Sequence, residues 1–90
     1  MNQNPHLFPK GKKQKKVDQK KLVLFNDDFN SFNHVIDCLV AICEHNPVQA
    51  EQCALITHFN GRCVIKNGNT EDLLYLKNDL QHYSLDVEII

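Results

Sequence analysis

Ninety residues suffice for one small domain, and the near-neutral net charge of −1 conceals a sharp division along the chain. Residues 1–21 carry seven lysines against Asp18, a net +6, whereas residues 22–90 carry Arg62, Lys66 and Lys77 against ten acids, a net −7. No apolar run has the length of a membrane span or of a signal-peptide core, so a helical membrane protein is excluded and a cytoplasmic one expected.

Residues 1–19 combine Asn, Gln, Pro and Lys with no periodicity and read as a flexible basic arm. The folded domain is then 20–90. Its first element is an apolar strand, 21–25, whose near-continuous Leu-Val-Leu-Phe suits a central position in a sheet. The strand runs directly into Asn26-Asp27-Asp28-Phe29, and Asn30 or Ser31 can cap the helix that follows. Phe32, Val35, Ile36, Leu39, Ile42 and Cys43 recur at i, i+3, i+4 spacing and predict an amphipathic helix to about Glu44.

A second helix begins at Asn46-Pro47-Val48-Gln49, where Asn caps, Pro takes the first helical position and Gln stands three after the cap. It stops at Asn60-Gly61, glycine being the residue that accepts the left-handed cap conformation. Arg62–Lys66 is a short strand closed by Asn67-Gly68. Asn69 or Thr70 caps a third helix with Glu71 and Asp72 in its first turn, and Leu73, Leu76, Leu80 and Tyr83 form its apolar stripe. Leu85–Ile90 alternates as a last strand. The order β-α-α-β-α-β, with three strands and helices on one face, predicts a single two-layer α/β sandwich.

Two clusters carry chemistry. Asn26, Asp27 and His58 offer an amide carbonyl, a carboxylate and an imidazole nitrogen, three acceptors for the three N–H donors of a primary ammonium. Phe32, Val35, Ala54 and Thr57 flank them at helical spacing as an apolar cup. The same residues also have a purely structural reading. Asn and Asp after a strand are ordinary turn formers, and a histidine in the last turn of a helix complements its dipole. Composition alone leaves both open. There is no nucleophile–base pair, no glycine-rich phosphate loop and no metal-ligand spacing, so a binding protein is expected rather than an enzyme.

Cys38, Cys43, Cys53 and Cys63 include no C-x-x-C pair, and three fall within helices among apolar residues, which predicts reduced core thiols. His34 and Cys38 share a helical face, but a tetrahedral zinc site would require two further ligands from Cys53, His58 or Cys63. Neither a metal nor any other cofactor is expected.

Taken together, Leu24-Phe25-Asn26-Asp27-Asp28-Phe29, Val35-Ile36-Asp37-Cys38-Leu39, Gln49-Ala50 and Thr57-His58-Phe59-Asn60-Gly61 resemble the ClpS adaptor family over roughly Lys21 to Ile90. The resemblance implies the same β-α-α-β-α-β fold. It implies a monomeric cytosolic adaptor that binds substrates by a bulky apolar N-terminal residue, an N-degron, and delivers them to the N-terminal domain of a Clp AAA+ unfoldase. Asn26, Asp27 and His58 would then hold the substrate α-amine. Phe32, Val35, Ala54 and Thr57, with the backbone near Asn30, would line the side-chain pocket. Glu71 matches an acidic docking position and Lys77 approximates its basic partner. Phe32 and Ala54 stand where family members usually have Met, and Asn30-Ser31 replaces a Thr-Pro pair.

The rival reading is a ribosome- or nucleic-acid-associated module, which the basic arm would suit and whose ribosomal-stalk example shares this element order. The acidic body, with no element interleaving aromatic and basic residues, argues against nucleic acid.

Overall fold

The computed structural model describes residues 18–90, so the expected arm, 1–19, lies outside the described residues except for Asp18 and Gln19. The elements are β1 (Lys20–Phe25), α1 (Phe32–Cys43), α2 (Pro47–Asn60), β2 (Arg62–Gly68), α3 (Thr70–His82) and β3 (Val87–Ile89). Both other strands pair antiparallel with β1, giving the order β2-β1-β3 and placing the most apolar strand in the centre as its composition predicts. Leu22 and Leu24 project from it into a core shared with Leu39 of α1, Ala50 and Cys53 of α2, Leu73 and Leu80 of α3, and Val87.

The helix boundaries follow from local chemistry. Ser31, not Asn30, caps α1, its hydroxyl accepting from the His34 N–H at 3.1 Å, while Asn30 turns its amide elsewhere. Asn46 accepts from the Gln49 N–H and Pro47 opens α2. Asn69 caps α3 through the Asp72 N–H at 2.8 Å.

Two expectations are corrected at the chain's end. Tyr83 is half exposed rather than part of the core stripe, because α3 stops at His82 and Tyr83 serves as its C-cap. The last strand is Val87–Ile89, shorter than Leu85–Ile90. The Leu85 N–H bonds back to the Leu80 carbonyl, so Leu85 closes the helix end, buried, instead of joining the ladder.

The α1–α2 corner is fastened to β2 by a device the sequence does not announce. Ile65 is an extra residue between the Leu22–Lys66 and Val23–Val64 pairs, a bulge that takes its carbonyl out of the regular ladder. His45, 96 % buried just past the left-handed Glu44, fills that gap: its Nε2–H donates to the Ile65 carbonyl at 2.8 Å. Lys66 reaches across to donate to the Cys43 carbonyl at 3.1 Å, placing a cation at the negative end of α1.

The four cysteines are free thiols, three of them buried. Burial pushes the Cys43 thiol up to about 11 and the Cys53 thiol, with the adjacent Cys63 thiol adding to the effect, up to about 12. Both therefore stay protonated and poorly nucleophilic at neutral pH. Among the described residues no helix is long and apolar enough to cross a membrane. No group of three or more His, Cys, Asp or Glu side chains converges there as a metal site.

Candidate functional site

The register of β1 against β2 brings the two chemical clusters together. Phe25 pairs with Arg62, so the residue after the strand meets the residue before β2, and the Asn26 N–H donates to the Gly61 carbonyl at 2.9 Å. Gly61 ends α2 with φ +94°, and a Cβ built there meets nothing within 4 Å, so backbone conformation rather than space demands glycine. His58 lies in the helical turn just before it. The Asn-Asp-Asp turn and the end of α2 are thereby fixed side by side.

Between them lies a cavity of about 530 Å³ whose walls include the eight residues expected for the amine and side-chain pocket: Asn26, Asp27, Asn30, Phe32, Val35, Ala54, Thr57 and His58. Leu24, Phe25, Asp28, Leu55 and Phe59 also line it. The aromatic members are all phenylalanines. Tyr75 of α3 and Tyr83, its C-cap, are both exposed and border other surfaces.

Asn26 and His58 are exposed at the rim, whereas Ala54 and Thr57 are buried. The Thr57 hydroxyl donates to the Cys53 carbonyl at 2.8 Å, so its polar atom is engaged within the helix and the wall it forms is apolar in effect. The His58 ring meets Phe59 edge to face, with centroids 4.9 Å apart. No hydrogen bond to the His58 ring is formed among the described residues, which leaves its nitrogens available to a ligand.

Asp27 does double service. Its Oδ1 accepts from the Phe29 N–H at 2.8 Å and from the Asn30 N–H at 2.7 Å, and its Oδ2 accepts from the Asn30 side-chain amide at 2.9 Å. That amide also donates to the Ser84 carbonyl at 2.8 Å, anchoring the turn to the end of α3. Partial burial raises the Asp27 pKa, but the Asn30 backbone and side-chain donors and the Phe29 N–H outweigh it, with His34 adding a smaller pull. The carboxyl is held below its ordinary value. It is therefore an anion throughout the neutral range, with three bonds accepted of about four that a carboxylate can take.

Asp28, one residue on, is exposed, lines the same cavity and makes no side-chain hydrogen bond among the described residues. The doublet Asp27-Asp28 was the only signal of this second carboxylate in the sequence. The two docking candidates lie elsewhere: Glu71 is exposed in the first turn of α3, and Lys77, two turns along, pairs with Glu88 of β3 at 3.3 Å.

The fold is a small α/β sandwich, and its apolar pocket is rimmed by an amide, two carboxylates and an imidazole, groups able to accept hydrogen bonds from a polar head. The family model described as "ATP-dependent Clp protease adaptor protein ClpS" matches residues 15–88, and the chain belongs to that family. A solved structure described as Agrobacterium tumefaciens ClpS2 bound to L-phenylalaninamide has a similar fold. Its TM-score is 0.72 at 15 % identity, covering 83 % of this chain and 98 % of that one. No curated protein sequence matches the chain.

Proposed function

We propose that this chain is a cytoplasmic, monomeric, non-catalytic adaptor that binds the bulky apolar N-terminal residue of a substrate and hands the substrate to a Clp-family AAA+ unfoldase. The observation that carries this reading is the convergence of Asn26, Asp27, Asp28 and His58 on the rim of one cavity whose walls are Phe32, Val35, Ala54 and Thr57. An ammonium next to an apolar side chain matches both halves of that cavity. The similar fold of ClpS2 was solved with phenylalaninamide, a molecule with a free α-amine beside a benzyl group. Family membership weighs against the ribosomal or nucleic-acid alternative. Glu71 and the Lys77 side of α3 are the proposed docking surface for the unfoldase. Fluorescence anisotropy with a labelled peptide beginning with Phe tests the recognition step. Failure of such a peptide to bind at concentrations up to about 100 μM, which means a binding free energy weaker than about −5.5 kcal/mol, would overturn it.

The two carboxylates have separable roles. Asp28→Asn should weaken the Phe-initiated peptide about tenfold while leaving thermal stability unchanged, since Asp28 supports no internal bond. Asp27→Asn should weaken binding and lower stability as well. Because the folded pKa of Asp27 is depressed, its contribution is complete above the ordinary carboxylate pKa and is lost as pH falls through the lower folded value. The Asp27→Asn melting curve should therefore converge on the parent's in that acidic window. An Asp27→Asn variant as stable as the parent at neutral pH would show that the turn does not depend on Asp27.

Ala54 sets the shape of the mouth. A methyl where a methionine would crowd the β-carbon of the guest leaves room for β-branching, and Phe32 supplies a stiff aromatic wall. Ile-initiated peptides should bind within about tenfold of Leu-initiated ones, a difference of about 1.4 kcal/mol, and Ala54→Met should widen the gap. Competition between peptides differing only in the first residue checks this. An already large gap that Ala54→Met leaves alone would show that Ala54 does not gate the pocket.

A further inference from the structure

On the far side of α1 from the peptide pocket, α1 and α3 enclose a second depression. A cavity of about 570 Å³ lies between the first part of α1 and the end of α3, bordered by Asp37, Asp79, His82 and Tyr83, with buried Cys38 among its lining residues. A further one of about 400 Å³ is bordered by Glu44, Asp72 and Tyr75. Ile42 lines both, so the two lie next to each other, a trough in two parts along the seam between the helices.

Four carboxylates border this trough against one lysine, and none of the four forms an ion pair among the described residues. Lys66, the one lysine beside it, turns its Nζ to the Cys43 carbonyl. The single ion pair among the described residues is Lys77–Glu88, which involves none of the four. Asp37, Glu44, Asp72 and Asp79 thus form an anionic strip with an apolar and aromatic floor, the complement of a lysine-rich segment whose side chains carry both a charge and an aliphatic stem.

The chain holds such a segment. Residues 1–17 contain Lys10, Lys12, Lys13, Lys15 and Lys16 and no acid. The chain passes from this segment into the domain at Asp18, whose Oδ2 accepts from the Thr70 N–H at 3.0 Å. That bond fixes the point of departure at the head of α3, one wall of the trough. The helix advances only about 14 Å from Thr70 to Asp79, and the six residues from Asp18 back to Lys12 span up to about 20 Å when extended.

We propose that the trough between α1 and α3 is the docking site of the chain's own lysine-rich segment, residues 10–16, held by Asp37, Glu44, Asp72 and Asp79. Each exposed pair is weak alone and is screened by salt. The covalent tether holds the lysines at a high effective concentration, so several weak pairs act together without a partner molecule. The trough shares no lining residue with the peptide pocket, so the docked segment and a bound peptide would occupy different places.

The test is solution NMR of the isotopically labelled full chain at low ionic strength, with no peptide added. Replacing the five lysines, Lys10→Gln, Lys12→Gln, Lys13→Gln, Lys15→Gln and Lys16→Gln, should shift the amide resonances of Asp37 to Glu44 and Asp72 to Tyr83. The amides of Asn26 to Asn30 and His58 should hold still. Reciprocally, Asp37→Asn combined with Asp79→Asn should move the amides of residues 10–16, and salt of about 0.5 M, where screening acts within a few ångströms, should mimic both. Unmoved α1 and α3 resonances on replacing the lysines would overturn the proposal. So would shifts that vanish on dilution, which would assign the occupant to the arm of a second copy.

Discussion

Acetylating the α-amine of a Phe-initiated peptide should weaken its binding by at least about 100-fold, or about 2.7 kcal/mol. Acetylation removes the charge and leaves one N–H of the original three, so the rim of Asn26, Asp27, Asp28 and His58 loses its complement. Each charge-assisted hydrogen bond is worth about 1.5–3 kcal/mol, and at least one must be forfeited along with the attraction to two carboxylates. The depressed pKa of Asp27 means that its charge is present wherever the assay is run above acid pH. The ligand therefore sets the alkaline limit: a peptide amine titrates near 7.7–8.0, so affinity should fall as pH rises through about 8. Matched peptides with free and acetylated ends, compared by anisotropy at neutral pH, check the first part. Equal affinities would mean that the pocket reads the side chain alone and that the polar rim is a structural turn.

The second large effect concerns the frame that holds the pocket. His45→Ala should cost about 2–4 kcal/mol, combining a buried carbonyl left without its donor with the void left by the ring. For a domain of this size that lowers the melting temperature by roughly 10–20 °C. The loss falls on the α1–α2 corner, where the ring bonds the bulged Ile65 carbonyl. His45 does not line the pocket between the Asn-Asp-Asp turn and α2, so peptide affinity measured well below the melting temperature should be unchanged. A melting temperature within about 3 °C of the parent's would show that the bulge is satisfied without the histidine.

These two cases mark how far the sequence could be read. The two chemical clusters were legible as residues, but their meeting was not, because strand order is not written in the chain. It is the antiparallel pairing of β1, ending at Phe25, with β2, which follows α2 and Gly61, that sets them side by side. The limits of α2 were legible too, since Asn46-Pro47 and Asn60-Gly61 act locally. Other features depend on tertiary choices. The division of labour between Asp27 and Asp28 is set by which carboxylate folds back onto Asn30, and two adjacent aspartates do not declare that in sequence. Leu85 reads as a strand residue by alternation, yet its N–H is taken by Leu80 at the end of α3. His45 reads as a connector histidine because nothing in β2 advertises the bulge at Ile65 that draws it inward.

The aromatic make-up of the pocket also decides how binding can be watched. The chain has no tryptophan, and neither of its two tyrosines, Tyr75 on α3 and Tyr83 just past its end, lines the phenylalanine-walled cavity. Native emission from the protein is therefore dim and indifferent to the site. A peptide beginning with tryptophan brings the sample's sole indole, and on the proposed reading binding would carry it from water into contact with Phe32, Val35 and Ala54. Its emission should move toward the blue and strengthen on binding, giving a label-free optical titration against an almost dark background.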